Sequence, residues 1–425
     1  MTVQTKETQI GFQGLGISTS ILEVLDKMNL ETPTPIQKKS IPVTITGEDL
    51  IGVAQTGTGK TFAFGIPMLE RLPKMKGAKG LILLPTRELA SQVDESLKKL
   101  GSSLGLRTAL LMGGQPYGRQ LQALRNNPQI IIATPGRFID HGKRGTIKLK
   151  DIKILVLDEA DMMLDMGFLP QVEEILSRIP KDRQTMLFSA TMPSAIVKLA
   201  ANHMALPVSI EVAPAGTTAE KVDQEMHIMK KEDKPIYLEK VLKEYTGSIL
   251  VFTRTKHNAK TLTEDIKRLG HNATEIHSNL SFGQRQTALA GFKSRRYRVL
   301  IATDIAARGI DVSNIELVLN YDLPDNSEDY VHRIGRTGRA GSAGKAISFA
   351  IPSQWKDIQR IEKLINKNLN LKKFAELEQP KVYPTRRFGR RNNSRPNISN
   401  YKGGTLNRGQ RSNRNTSLAK FKKMS

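Results

Sequence analysis

The chain has 425 residues, with 65 Lys and Arg against 41 Asp and Glu, and a formal charge of +24. That length holds two domains of ordinary size plus a tail, and the charge favours a polyanionic partner, nucleic acid ahead of an anionic membrane surface. The absence of cysteine excludes disulfides, thiolate metal sites and cysteine nucleophiles; with no apolar run near the roughly 18 residues of a membrane span and no secretory pattern in Met1 to Lys6, a cytoplasmic chain without a membrane partner is expected.

In chain order, the first apolar run, Leu50 to Val53, is followed by Ala54-Gln55-Thr56-Gly57-Thr58-Gly59-Lys60-Thr61 and then by a helical pattern from Thr61 to Leu72. This is the strand, loop and helix of a phosphate-binding loop, with Ala54 in place of the usual first glycine. Backbone N–H groups and the helix N-terminus face phosphates in such a loop, Lys60 reaches the terminal ones, and the Thr61 hydroxyl takes a place on Mg²⁺. Further runs at Leu81–Leu84, Ile130–Ala133, Ile154–Leu157 and Met186–Phe188 read as buried strands of a parallel sheet. The third leads into Asp158-Glu159-Ala160-Asp161. Carboxylates at the carboxyl end of such a strand stand where open α/β sheets bind ligands. Asp158 suits the metal and Glu159 the attacking water, so ATP with Mg²⁺ is the expected substrate pair. Met162, Met163, Leu164, Met166 and Phe168, at helical spacing, read as core packing.

Around Ala213 to Thr218 the pattern lapses into small turn-forming residues, and a second series follows at Ile249–Phe252, Val299–Ala302, Leu317–Asn320 and Ala346–Ala350, without a phosphate loop. The expected organisation is residues 1–210, a linker at 211–220, a second domain at 221–370 and a tail at 371–425. Trp355 reads as packing near the end of the second domain. Residues 381–425 hold 13 Lys or Arg and no acid, interspersed with Tyr383, Phe388, Tyr401 and Phe421, a composition that reads as a disordered basic tail.

Polar clusters directly after the strands, Pro85-Thr86-Arg87-Glu88, Thr134-Pro135-Gly136-Arg137, Ser189-Ala190-Thr191, Thr253-Arg254-Thr255, Ala302-Thr303-Asp304 and His332-Arg333-Ile334-Gly335-Arg336-Thr337-Gly338-Arg339, resemble in order and spacing those of the DEAD-box ATP-dependent RNA helicases over roughly residues 12–350. The resemblance implies two tandem RecA-like α/β domains with ATP and RNA bound across the cleft between them. It makes Gln37, supported by Phe12, the adenine reader, and the amide suits the N6 and N7 edge of that base. Residues 54–61, Gly309 and Asp311 then belong to the nucleotide site, and Arg336 and Arg339 reach the γ-phosphate from the second domain. Ser189, Thr191, Asp161 and His332 couple the nucleotide to strand separation. Pro85, Thr86, Arg87, Gly114, Thr134, Arg137, Arg254 and Thr303 touch the RNA backbone, which positions without reading sequence.

Two departures stand against the family pattern: Leu30 replaces the aromatic seven residues before Gln37, and where the family places Gln five and Arg eight residues after the histidine at His277, this chain has Phe282 and Arg285. The resemblance implies an RNA-stimulated ATPase that unwinds short duplexes locally or remodels RNA–protein complexes. An ATP-gated RNA clamp and a DNA translocase are the competing readings, and partners in ribosome assembly or RNA decay are both typical of bacterial relatives with such tails. Deleting residues 381–425 is expected to raise the apparent RNA dissociation constant and to flatten its salt dependence by about 0.7 in log–log slope per lost phosphate contact. A salt titration of RNA binding by full-length and truncated protein checks this; equal slopes would exclude an RNA-tethering tail.

Overall fold

Short apolar runs, too brief for helices and rich in Ile, Leu and Val, pair into two parallel sheets whose strands are covered on both faces. The computed structural model describes residues 11–55, 57–212, 222–307, 315–338 and 344–373; the Ala213–Thr218 linker, the tail from residue 374, Thr56, Gly309, Asp311 and Arg339 lie outside the described residues. The first sheet contains β1 (Leu50–Val53), β2 (Lys79–Leu83), β3 (Thr108–Leu111), β4 (Ile130–Ala133), β5 (Ile152–Leu157), β6 (Gln184–Ser189) and β7 (Val208–Glu211), in the order β3-β4-β2-β5-β6-β1-β7. The second contains β8 (Val222–Ile228), β9 (Ile249–Phe252), β10 (Ala273–Ile276), β11 (Val299–Ala302), β12 (Leu317–Asn320), β13 (Gly344–Ala350) and β14 (Asn370–Lys373), in the order β10-β11-β9-β12-β13-β8-β14. Every pairing is parallel. This is the two-domain α/β architecture expected from the chain, with two sheets of one winding in tandem.

Each sheet has an apolar core on both faces. Phe64, Met68, Ile82, Ile132, Val156 and Phe188 share one face of the first sheet, and Leu81, Ile131, Leu155, Leu187 and Phe138 the other. In the second sheet Leu250, Phe252, Leu300 and Val318 face one way, and Ile249, Val251, Ile301 and Leu319 the other. A satellite cluster of Phe12, Leu15, Ile21, Leu25, Ile41 and Ile66 packs the N-terminal segment onto the first lobe. Met162 and Met163 are buried in the first lobe's cores. Trp355 is 47% exposed, which corrects the packing role expected for it: it opens the helix Trp355–Ile365, whose buried face is Ile358, Ile361 and Ile365. Among the described residues no helix is long and apolar enough to cross a membrane.

In β1, Gly52 lies beside Phe188 of β6, and a Cβ there would come within 2.6 Å of the Phe188 ring. The ring is held in turn by Phe64 at 5.6 Å between centroids. Gly52→Ala is therefore expected to destabilise the protein by about 1–3 kcal/mol through overpacking, read as a lowered midpoint in urea. An unchanged midpoint would mean that the ring yields without cost.

Candidate functional site

The carboxyl ends of β1, β5 and β6 bring the first group of residues together. The Ala54 N–H donates to the Ser189 carbonyl at 2.9 Å, so the loop leaves β1 tied to the end of β6. Gly57 and Gly59 have φ of +84° and +92°, a region glycine enters without penalty. Ala54 is buried and is not among the residues of positive φ, which is why a methyl group is tolerated at the loop's first position. The Thr58 hydroxyl donates to the Gln55 carbonyl at 2.7 Å, and the helix Lys60–Arg71 then begins with Lys60 buried.

Lys60 Nζ donates to Glu159 Oε1 at 2.6 Å and lies 3.9 Å from Asp158 Oδ1, with all three side chains buried. Burial alone would push the Lys60 ammonium down, but the carboxylates of Glu159 and Asp158 outweigh it and hold it above its ordinary value. Asp158 is pushed up to about 7, by burial first and by the neighbouring Glu159 charge, against the pull of Lys60. Glu159 goes the other way: burial opposes its ionisation, yet Lys60, with His332 and Arg336 of the second lobe, keeps it below the usual carboxylate range. Glu159 also holds the left-handed conformation, φ +55°, uncommon for a residue with a Cβ and a frequent mark of functional sites.

Asp161 binds the end of β6 to this acidic turn. Its Oδ2 accepts from the Ala190 N–H at 3.1 Å, the Thr191 N–H at 2.9 Å and the Thr191 hydroxyl at 3.1 Å, and its own N–H donates to Ser189 Oγ at 3.1 Å. Gln37 closes the site from the other side. Its Oε1 accepts from the Thr34 N–H at 2.9 Å and its Nε2 donates to the Gly59 carbonyl at 3.0 Å, which leaves one N–H and one lone pair of the amide. Phe12 is buried in the cluster with Ile41, one turn along the Gln37 helix. Leu30 packs against the same cluster.

In the second lobe the helix Ser327–Ile334 carries His332 and leads into Arg336. Arg336 is buried, and its Nε donates to the His332 carbonyl at 3.1 Å. The helix is anchored by Arg333, to which the sequence reading assigned no role: its guanidinium meets both Asp304 oxygens at 2.5 and 2.7 Å, Asn320 Oδ1 at 3.1 Å and the Asp322 carbonyl at 2.6 Å, and lies 5.0 Å over the Phe252 ring. An arginine three residues past Tyr330 on a short helix carries no signal for that placement.

A second cleft, of about 530 Å³, is lined by Pro85, Thr86, Arg87, Thr134 and Arg137 of the first lobe and by Ser278, Leu280 and Arg285 of the second. Gly114 (φ +75°) sits under Arg87, where a Cβ would run into the guanidinium. Thr86 also caps the helix Arg87–Gly101, accepting from the Leu89 N–H at 3.3 Å. Arg254 and Thr303 do not line this cleft: Arg254 pairs with Asp325 at 3.2 Å, and Thr303 starts the helix Asp304–Ala307. The second-lobe wall is instead formed by Ser278 beside His277, by Leu280 and by Arg285. Among the described residues no group of three or more His, Asp or Glu side chains could hold a metal by itself, so a metal at Thr61 and Asp158 would need phosphate oxygens to complete it.

Behind the cleft His141 bonds Thr146 Oγ1 through Nδ1 at 2.8 Å and Gln120 Oε1 through Nε2 at 3.4 Å, and stacks on Tyr117 at 4.4 Å. Tyr117 in turn lies under Arg144 and Arg137. Burial, with the Arg137 charge, lowers the His141 pKa to about 4.

Two family models match the chain, "DEAD/DEAH box helicase" over residues 34–199 and "Helicase conserved C-terminal domain" over residues 233–341. The chain is 42% identical over 373 residues to the DEAD-box ATP-dependent RNA helicase CshA of Geobacillus kaustophilus, covering 87% of this chain and 79% of that one. Among solved structures it resembles S. cerevisiae Dbp5 bound to RNA and ADP BeF3, with TM-score 0.76 and 32% identity over 85% of this chain and 95% of that one. It also resembles a DEAD box protein from Methanococcus jannaschii, with TM-score 0.52 and 40% identity over 85% and 98%.

Because the folded state holds His141 neutral while the unfolded chain takes up a proton near pH 6.5, the stability it supports is full above that pH and is lost as pH falls toward 4. His141→Gln is therefore expected to be less stable than the unmodified protein at pH 7.5, and the gap should shrink by pH 5 in paired denaturation curves. A gap independent of pH would show that the imidazole is not held neutral.

Proposed function

Because the chain belongs to the DEAD-box family of ATP-dependent RNA helicases, we propose that it separates short RNA duplexes locally, or remodels RNA–protein complexes, by coupling ATP hydrolysis to closure of its two lobes over both ligands. The observation that carries the coupling is electrostatic: His332 and Arg336 of the second lobe act on the Glu159 carboxylate of the first. A cation delivered from a second domain stabilises charge on the transferring phosphoryl group and typically contributes on the order of a thousandfold in rate. The higher TM-score to the RNA- and nucleotide-bound Dbp5 than to the more identical archaeal protein supports reading the lobes as arranged for that contact.

Within this proposal Glu159 takes the proton of the attacking water, and its depressed pKa keeps it ionised and ready to do so. Lys60, now on Glu159, turns to the phosphates when ATP enters, which frees the base at the moment it is needed. Mg²⁺, held by Thr61 and Asp158, would supply charge neutralisation on the phosphate oxygens. The residues fit it: Asp158 is a buried carboxylate left 3.9 Å from its lysine, and its raised pKa falls once a cation is beside it. Gln37 offers its remaining N–H and lone pair to adenine while its other two bonds hold Thr34 and Gly59. Asp161 carries changes at the phosphates to Ser189 and Thr191. Arg87, Arg137, Thr86 and Thr134 bind the RNA backbone in the second cleft, with Arg254 and Thr303 continuing that path on the second lobe. Gly309, Asp311 and Arg339 complete the nucleotide site in this reading, and the division at 1–210, 211–220, 221–370 and 371–425 goes with it.

Lys60→Ala and Glu159→Gln are both expected to lower RNA-stimulated turnover by at least about a hundredfold, but to part in binding. Loss of the Lys60 ammonium weakens ATP. Loss of the Glu159 charge releases Lys60 to the phosphates, so ATP binds as well as before or more tightly and RNA is trapped with it. Gln37→Ala should narrow the preference for ATP over GTP. Turnover of Glu159→Gln at the unmodified rate, or an unchanged ATP:GTP ratio in Gln37→Ala, would remove the role concerned.

A further inference from the structure

We propose that Tyr117 is a positioning residue for RNA binding: together with Arg144 it holds the Arg137 guanidinium aligned in the second cleft with its phosphate-gripping edge free. The inference rests on the reading of that cleft as the RNA site and adds the residues that present its cation. Arg137 stands in the first turn of the helix Pro135–Lys143 and lines the cleft, and so does Asp140 one turn on. A carboxylate at that spacing ordinarily pairs with the arginine. Here it is engaged elsewhere: Asp140 Oδ1 accepts from Arg144 Nε at 2.9 Å, while its Oδ2 stays 3.8 Å from Arg137 Nε, too far for a hydrogen bond. Arg137 is held instead by uncharged groups. Its Nη1 donates to the Gln115 carbonyl at 3.3 Å, and its Cζ lies 5.9 Å from the centroid of the Tyr117 ring. That leaves Nε and Nη2, the edge suited to a bidentate phosphate contact.

The ring is itself fixed. His141 stacks on it at 4.4 Å with 11° between the planes, and the Arg144 guanidinium lies 4.6 Å from the same centroid. Two groups that close cannot share one face, so Tyr117 is clamped between the imidazole and the guanidinium. Gln120, on the helix Tyr117–Arg125, secures the turn that carries the carbonyl. Its Nε2 donates to the Gln115 carbonyl at 3.3 Å and the Met112 carbonyl at 3.2 Å, and its Oε1 accepts from the Met112 N–H at 3.2 Å. Both uncharged contacts of Arg137 thus come from one short segment, residues 115–117, braced by His141 of the helix that bears Arg137. The negative face of the ring also offsets the repulsion between two guanidinium groups served by one carboxylate. The Tyr117 hydroxyl is buried without a hydrogen-bond partner among the described residues, so the ring and not the hydroxyl carries the role. Without the ring, Arg137 is free to fall onto Asp140, and a backbone phosphate loses the edge that would grip it.

The test uses the full chain with Tyr117→Leu, Tyr117→Phe, Arg137→Gln, and Tyr117→Leu combined with Arg137→Gln or with Asp140→Asn. Hydrolysis is titrated with a single-stranded polyuridine oligonucleotide at several salt concentrations, and thermal unfolding midpoints are recorded beside it. Tyr117→Leu should raise the RNA concentration for half-maximal stimulation by about fivefold and flatten its salt dependence by about 0.7 in log–log slope, one phosphate contact, with a smaller change in turnover at saturating RNA. Tyr117→Phe should match the unmodified chain. Tyr117→Leu should add no further loss to Arg137→Gln, and Asp140→Asn should restore part of what Tyr117→Leu loses by removing the carboxylate that captures Arg137. Half-saturation unmoved in Tyr117→Leu, with or without a lowered midpoint, would overturn the positioning role. So would an equal loss in Tyr117→Phe, losses that multiply with Arg137→Gln, or no recovery with Asp140→Asn. Half-saturation unmoved in Arg137→Gln would overturn the reading of the cleft itself, and the positioning role with it.

Discussion

The Lys60 ammonium on the Glu159 carboxylate, 2.6 Å apart and buried, is the contact on which the rest of the molecule is organised. Charges buried in a low-dielectric interior are tolerated only when paired and hydrogen-bonded, so everything around this pair is built to keep it so. The Gly57 and Gly59 conformations bring the lysine to the strand ends, and the left-handed backbone at Glu159 turns the carboxylate toward it. Asp161 immobilises the turn from behind through the Ser189–Thr191 segment. Three carboxylates within four residues would repel one another if one were not bonded to backbone and another to lysine.

Gln37, the proposed adenine reader, spends half of its amide on structure. Its amide holds the Thr34 N–H at the start of its own helix and the Gly59 carbonyl in the phosphate loop, and Gly59 has no room for a Cβ against the same amide. If Gln37 reads the base as proposed, recognition and loop conformation are a single arrangement, and a nucleotide that disturbs the amide also disturbs the loop.

Legibility in the sequence followed burial. All five interior strands of the first sheet, β4, β2, β5, β6 and β1, contain a short apolar run and were readable by it. The outer strands β3, β7, β10 and β14 have one unpaired edge or an exposed face and carry Thr, Glu, Asn or Lys. β8, although interior, carries Asp223, Gln224, Glu225 and His227 among Val222, Met226 and Ile228. The acidic turn, the phosphate loop and the residues lining the first-lobe wall of the second cleft were legible because each follows an interior strand directly. Arg333 was not, because its meaning lies in partners distant in the chain: four acceptors from β12, the turn after it and Asp304. Trp355 was misread because a lone large aromatic says nothing of which way its helix is turned.

The four acceptors gathered on Arg333 have a mechanical consequence. They weld the helix Ser327–Ile334 to the sheet beneath it, so His332 and Arg336 cannot swing on a hinge of their own and must travel with the whole second lobe. In the closure proposed above the lobe would act as a lever arm with the cation fixed at its tip, and a small angular error at the interface would become a full displacement at the phosphates. Such a device is stiff where a flexible side chain would be forgiving, and it resists idling: a partly aligned lobe gives no partial delivery of charge.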